Sequence, residues 1–226
     1  MLCFTCKASS QDVLEAILYG GVNFSNLHTK YNEYDNALGG QGGFLTKVGS
    51  RFVQVELGLE YSYKGYKYKN ETQVGSEGGA DSNYSFVVET RISSMSHHIT
   101  IPIAIAIGKW SDEGNGGISF SGGGYADIGI YGRNVAKEKT LYYDANALYG
   151  VDDEVKYKTD LYGDMNHQIK RIDAGWQLGC LIGMGPVLRI GATYRRGLVN
   201  VSNISGYKQY NKSFMINLLF CVHYED

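Results

Sequence analysis

Val53-Gln54-Val55-Glu56-Leu57-Gly58-Leu59-Glu60-Tyr61-Ser62-Tyr63-Lys64 changes character at every residue. Val53, Val55, Leu57, Leu59, Tyr61 and Tyr63 fall on one side of an extended chain; Gln54, Glu56, Gly58, Glu60, Ser62 and Lys64 fall on the other. A period of two is the pattern of a β-strand whose faces meet unlike surroundings. The stretch Ile99 to Gly108 repeats it, with Ile99, Ile101, Ile103, Ile105 and Ile107 alternating against Thr100, Pro102, Ala104, Ala106 and Gly108.

The same period marks further strands on either side. Upstream, about Leu14 to Asn26 sets Ala16, Leu18, Val22 and Phe24 against Asn23 and Ser25, and about Gly42 to Val48 gives the faintest signal. Downstream, Ile118 to Tyr131 sets Ile118, Phe120, Ala126, Ile128 and Ile130 against Ser119, Ser121, Tyr125 and Asp127. Ile172 to Ile182, Leu188 to Arg195 and Phe214 to Tyr224 complete a set of eight. The expected connections alternate in length. Leu27 to Gln41, Tyr66 to His97, Gly132 to Gln168 and Ser202 to Lys212 read as long loops. Gly49-Ser50, Ser111 to Gly117 and Gly185-Pro186 read as short turns. An up-and-down antiparallel barrel puts alternate connections at opposite ends, and an even strand number leaves both termini at the short-turn end.

Composition agrees. The 226 residues include 30 glycines and 19 tyrosines but only 2 prolines, a mix suited to strands and turns. A net charge of −2 gives no sign of a nucleic-acid partner. No apolar run is long enough for a transmembrane helix. The faces separate a membrane barrel from a soluble one. One face is nearly pure Ile, Val, Leu, Phe and aromatics. The other carries Glu56, Glu60, Lys64, Asp127, Asp173, Arg189 and Arg195. Mixed charges on one face can pair within a narrow interior, and strands of this length suit a tilted crossing of the hydrocarbon layer. Tyr61 and Tyr63 at the long-loop end, and Trp110 and Tyr224 at the other, sit where interfacial aromatic girdles form. The fold expected is therefore all-β: an eight-stranded antiparallel up-and-down transmembrane β-barrel with short periplasmic turns and long extracellular loops. It occupies residues 12–226.

Several motifs, in order along the chain, resemble one family. They are Gly20-Gly21-Val22-Asn23-Phe24-Ser25, Leu57 to Gly65 (LGLEYSYKG), Ile99 to Lys109 (ITIPIAIAIGK), Asp173-Ala174-Gly175 with Gly179 and Gly183, Tyr194 to Val201 (YRRGLVNV), and Asn211 to Tyr224. Together they are similar to the PorT-type outer-membrane β-barrel family of the Bacteroidota. The resemblance implies an outer-membrane barrel and admits an accessory role in protein secretion. It also keeps Pro102 inside a strand, where its missing N–H predicts a local bulge.

Candidate chemistry is sparse. His97-His98, with Ser94 and Ser96 nearby, reads as a pair of histidines at a loop edge, and no G-x-S-x-G elbow is present. Asp152-Asp153-Glu154 with Asp160 and Asp164 makes the longest loop acidic without the spacing of a calcium loop. Gly122-Gly123-Gly124 lies within a strand, so it is read as relief of crowding and not as a phosphate cradle. Cys180 and Cys221 are expected on opposite faces and unpaired; Cys3 and Cys6 belong to Met1 to Gln11, read as the remnant of a signal peptide.

The function expected is that of a small non-enzymatic outer-membrane barrel, without cofactor or metal, its interior plugged by the seven charged residues above. Arg171 would supply a further base near the loop end. The partners expected are outer-membrane lipid and secretion or envelope proteins, reached through external loops, with the barrel a monomer. The alternatives are a lipid- or glycan-modifying enzyme and a narrow channel.

Overall fold

The alternating stretches form strands that close into a ring. The computed structural model describes residues 13–29, 34–50, 52–77, 84–110, 116–144, 147–151, 155–162 and 169–225. Its strands are β1 (Val13–Thr29), β2 (Asp35–Gly49), β3 (Val53–Glu77), β4 (Tyr84–Trp110), β5 (Gly117–Asp144), β6 (Ala147–Val151), β7 (Val155–Asp160), β8 (Ile172–Gly183), β9 (Leu188–Gly197) and β10 (Gln209–Glu225). Eight of them pair antiparallel in the cycle β1-β2-β3-β4-β5-β8-β9-β10 and back to β1. The seam sets Leu14 opposite Glu225 and Thr29 opposite Gln209. Closure leaves the ring without an unpaired edge. The short β6 and β7 both pair with β5 beyond the ring.

Both ends of the described chain lie at the short-turn end, where Val13 faces Gly49 and Leu14 faces Glu225. The turn after Gly185 needs φ +126°, a left-handed conformation that glycine adopts without a Cβ penalty.

The two faces separate cleanly through the ring. Val55, Leu57, Ile101, Ile103, Ile105, Leu178 and Leu218 all point outward, 41 to 56 % exposed. On β4 the inward neighbours Thr100, Pro102, Ala104 and Ala106 are small. Ala104 and Ala106 are buried, and a Cβ on Gly123 would come within 2.8 Å of the Ala104 Cβ. In water such a wall would be an unstable apolar surface; in hydrocarbon it is the favoured one. On the outer wall at the long-hairpin end, Tyr61, Tyr63 and Tyr131 surround His97. The His97 ring centroid lies 4.9 Å from that of Tyr63. Tyr61 and Tyr63 thus sit in an aromatic belt. The side chains of Trp110 and Tyr224 lie outside the described residues.

Four expectations are corrected. First, the faint second strand begins at Asp35 rather than near Gly42. Its signal fades because glycines stand where side chains cannot fit. A Cβ on Gly39 would meet the Tyr63 carbonyl oxygen at 1.9 Å, and one on Gly43 would meet the Leu59 carbonyl oxygen at 2.4 Å.

Second, the segments Tyr66 to His97 and Gly132 to Gln168 are not mainly loops. β3 and β4 stay paired to Glu77 and Tyr84, and β5 stays paired with β4 to Asp144. Above the aromatic belt the outer face no longer meets lipid, so the apolar alternation that marks a strand in the membrane disappears while the strand continues.

Third, no bulge forms at Pro102, which sits in register opposite Tyr125. The missing N–H instead interrupts the ladder to β3, where pairing skips from Leu57–Ile103 to Glu60–Thr100 without a change of register. Gly58 leaves room for the ring, since a Cβ there would lie 3.2 Å from the Pro102 Cγ. The register shift of β4 comes at His97/His98 instead.

Fourth, His97 and His98 are strand residues, not loop-edge ones. His97 points outward into the belt and His98 inward. Cys180 and Cys221 are not joined in a disulfide, and Met1 to Gln11 lies outside the described residues.

Candidate functional site

The inward positions of eight strands converge on a narrow lumen, which fills in layers. Nearest the short turns, Glu15 of β1, Lys47 of β2 and Glu56 of β3 lie side by side in register. Lys47 Nζ is 2.5 Å from Glu56 Oε1. Arg189 of β9 reaches Glu15 with two nitrogens, at 2.5 and 3.0 Å. An apolar knot of Ile17, Leu181 and Leu219, packed against Tyr19 and Leu45, covers this layer.

The next layer centres on Arg195 of β9. Its Nη1 and Nη2 donate to the two oxygens of Glu60 at 2.5 and 3.0 Å, and its Nε donates to Gln177 Oε1 at 2.9 Å. Tyr19 donates to Glu60 at 2.8 Å, and the guanidinium lies 5.6 Å from the Tyr125 ring centroid. Such a two-pronged contact fixes both side chains. A cavity of about 70 Å³ lies beside this layer, lined by Glu60, Gln177, Arg195 and Asn217.

Towards the long hairpins, Asp127 of β5 collects three donors. Lys64 Nζ and His98 Nδ1 both lie 2.8 Å from its Oδ2, and Thr100 donates to Oδ1 at 2.6 Å. His98 Nε2 meets Ser96 Oγ at 2.8 Å and Tyr162 Oη at 3.0 Å. Asp173 receives neutral donors, Asn211 Nδ2 at 2.9 Å and Tyr125 Oη at 3.1 Å. Over this layer Leu161, Tyr162 and Ile169 pack with Leu27, Tyr66 and Val201 in an apolar cap. Burial holds the Tyr162 hydroxyl above its ordinary pKa, so it remains a neutral hydrogen-bonding group.

All seven charged residues named from the sequence face the lumen, but only two pairs form within the set: Glu60 with Arg195 and Lys64 with Asp127. Glu56 and Arg189 find Lys47 and Glu15, which the sequence reading missed. Lys47 lies on the faint strand. Glu15 shares the odd parity of Asn23 and Ser25, and carrying that parity back to the strand start would have found it. Arg171 stands exposed at the rim, donating to the Ile130 carbonyl oxygen and lying 5.5 Å from the Tyr162 ring centroid. Ser96, His98 and Asp127 were each singled out in the sequence, but not as one group. They form a hydrogen-bonded chain in the order used by serine hydrolases. Asp160 lies in β7 opposite Arg133; Asp152, Asp153, Glu154 and Asp164 lie outside the described residues.

No curated protein is similar to the chain at a significant level. Among solved structures, it is similar to Ail, the attachment invasion locus protein of Yersinia pestis, in complex with the heparin analogue sucrose octasulfate. That likeness has 10 % identity and a TM-score of 0.39, covering 92 % of this chain and 98 % of that one. It is also similar to Neisserial surface protein A, at 9 % identity and a TM-score of 0.35, covering 91 % and 96 %. A third likeness is to the translocator domain of the autotransporter NalP from Neisseria meningitidis, at 10 % identity and a TM-score of 0.26, covering 92 % and 87 %. The decisive match is to a family model, over residues 9–203. With its closed ring, apolar outer wall and charged lumen, the chain belongs to the outer membrane protein beta-barrel domain family, whose place is the bacterial outer membrane.

Proposed function

We propose that this barrel is a closed, non-enzymatic anchor that holds an external β-sheet above the outer membrane as a binding surface. The observation that carries this reading is the lumen itself, where buried ion pairs lie in successive layers beneath the Leu161–Tyr162–Ile169 cap. Buried charges paired this way resist separation, because breaking one pair strands its partner in a medium that solvates it poorly. Among the described residues, the two cavities beside these pairs are about 70 and 30 Å³, room for a few waters each. The test is conductance of the purified protein in a planar bilayer. The expected result is an absence of stable channels, whereas a large ion-filled conductance would replace this reading with the channel.

The PorT resemblance adds an accessory role in protein secretion, which retention of secreted proteins in cells lacking the barrel would support. A second reading is favoured by one observation, the Ser96–His98–Asp127 chain, which would suit acyl hydrolysis. Three features favour a structural role for it. Ser96 is 5 % exposed, Tyr162 occupies the same His98 nitrogen, and the adjoining cavity is about 30 Å³. A fluorophosphonate probe separates the two: the anchor leaves Ser96 unlabelled, and labelling abolished by Ser96→Ala would establish the hydrolase.

A further inference from the structure

The apolar outer wall of β9 and β10 ends in a pair of cations. Outward on β10 stand Val222, Phe220, Leu218, Ile216 and Phe214, and the next outward position is Lys212. On β9, Ile190 opposite Leu218 and Tyr194 opposite Phe214 lead in the same way to Arg196. Residues directly opposite in adjacent strands share a face, as Tyr63, His97 and Tyr131 do in the belt. Arg196 is directly opposite Lys212, and their row continues to Trp176 of β8 on one side and Asn26 of β1 on the other. Both cations are exposed.

Height places the pair. Ten residues separate Val222 from Lys212. At the usual strand tilt they rise about 25 Å, the whole lipid-facing band of an outer-membrane barrel. Arg196 and Lys212 therefore stand at the outer-leaflet surface, with Tyr210 and His28 opposite each other in the next outward row.

Two like charges set opposite one another oppose strand pairing. Their own strands do not relieve them. The carboxylates of β1, β8, β9 and β10 are Glu15 and Asp173, which point into the lumen, and Glu225, which lies at the short-turn end. At this height the membrane itself supplies the fitting anion, a lipid phosphate.

Beside the pair the wall carries a trough. Gly122, Gly124 and Ala126 are the outward residues of β5 between Phe120 and Ile128. They floor a groove of about 700 Å³ walled by Ile101, Ile103 and Ile105. Packing does not demand the outward glycines. A Cβ on Gly122 would meet Leu178 Cδ2 at 3.5 Å, an ordinary contact, whereas one on the inward Gly123 would meet the Ile103 carbonyl oxygen at 2.0 Å. Trp176 stands opposite Gly124, but its ring packs on Tyr194, with centroids 5.4 Å apart, and leaves the trough open. Only β8 separates β5 from β9, so trough and cations are about 10 Å apart. An apolar trough at membrane depth fits an acyl chain.

We propose that this wall holds one outer-leaflet lipid whose headgroup is a phosphate monoester. Arg196 and Lys212 take the phosphate, and one acyl chain lies in the Gly122–Gly124 trough. A phosphate monoester carries about 1.5 to 2 negative charges and so matches two cations, where a diester carries a single charge. The site is separate from the external sheet and does not depend on whether the lumen conducts.

The test is native mass spectrometry of the full chain in a neutral detergent. Three probes share the same acyl chains: phosphatidic acid, phosphatidylglycerol and diacylglycerol. Glycerol phosphate, a monoester without chains, is the fourth. The expected result is retention of phosphatidic acid above the other three. Arg196→Gln/Lys212→Gln should weaken that retention roughly 30-fold, as removal of two cations facing an anionic surface predicts. Lys156→Gln/Lys158→Gln removes the same charge from the exposed strand β7 and should leave it unchanged. Gly122→Leu, which fills the trough, should weaken it several-fold. Heat-modifiable migration verifies that each variant is folded, and the lipid comparison is made on the unaltered chain, so it decides even where a variant does not fold. Equal retention of phosphatidylglycerol or diacylglycerol, or full retention by Arg196→Gln/Lys212→Gln, overturns the proposal. Equal retention of glycerol phosphate, or no effect of Gly122→Leu, also overturns it, because the trough then holds no chain.

Discussion

β3, β4 and β5 each pass through two worlds, and the same backbone geometry carries opposite chemistry in each. Below the Tyr63–His97–Tyr131 row their outward side chains are Val55, Leu57, Ile101, Ile103 and Ile128, while Glu56, Glu60 and Asp127 point inward. Above it the outward positions hold Lys67, Lys69, Arg91 and Lys137, while Tyr66, Ile92 and Ala136 share the other face. The period of two never breaks for long; what changes is the medium against the outer wall. Strand geometry is thus fixed by hydrogen bonding, and the side-chain pattern reports only what each face touches.

The largest effect should come from stranding a charge in the lumen. Arg195→Met leaves Glu60 without its cation; among the described residues Tyr19 remains to bond it. It should cost about 3–5 kcal/mol of barrel stability, read from urea-driven unfolding out of lipid vesicles. A loss below about 1 kcal/mol would mean that water reaches Glu60 and that the middle layer is wet.

Next comes the outer wall. Ile103→Arg places a cation in the hydrocarbon and should cost about 2–4 kcal/mol. Val135→Arg, outward but above the belt and directly opposite Lys158, should cost only the like-charge penalty of a cross-strand pair, about 0.2–1 kcal/mol. Equal costs at the two positions would erase the distinction between the regions and put the hydrophobic boundary elsewhere.

These contrasts also explain which parts of the molecule could be read in advance. Wherever one face met lipid, the strand, its faces and its direction were legible from apolar alternation, as at Val53 to Lys64. The strand extensions were illegible because Lys67 to Thr72 and Arg133 to Leu141 are polar or mixed on both faces. The interior charges could be assigned to a face but not to partners. Parity fixes the side of a strand, whereas pairing depends on which strands close the ring and on their stagger. Thus Glu15 and Lys47 were passed over, and the Ser96–His98–Asp127 chain emerged only when β4 and β5 were brought into register.

A smaller effect is expected at the cap. Tyr162→Phe removes the hydroxyl that meets His98 Nε2 and leaves the ring packed in the cap. Ser96 remains beside the same nitrogen, so the loss should be about 1 kcal/mol, that of an ordinary hydrogen bond. A loss several times greater would show that the hydroxyl holds the whole cap in place.

The smallest effect has the opposite sign and separates the external sheet from the lumen most sharply. Lys156 stands directly opposite Lys137, in a row that continues through Arg91 to Lys69. Lys156→Gln removes one of two like charges set directly opposite, so in zwitterionic detergent at low salt it should raise stability by about 0.2–1 kcal/mol, the range of a cross-strand pair. Salt screens exposed charges, so at high ionic strength the gain should vanish. No such salt dependence is expected for Arg195→Met, whose partner is buried in the lumen. Identical shifts for Lys156→Gln at low and high salt would mean that the row is already neutralised within the protein, and the external sheet would then be as self-contained electrostatically as the lumen below it.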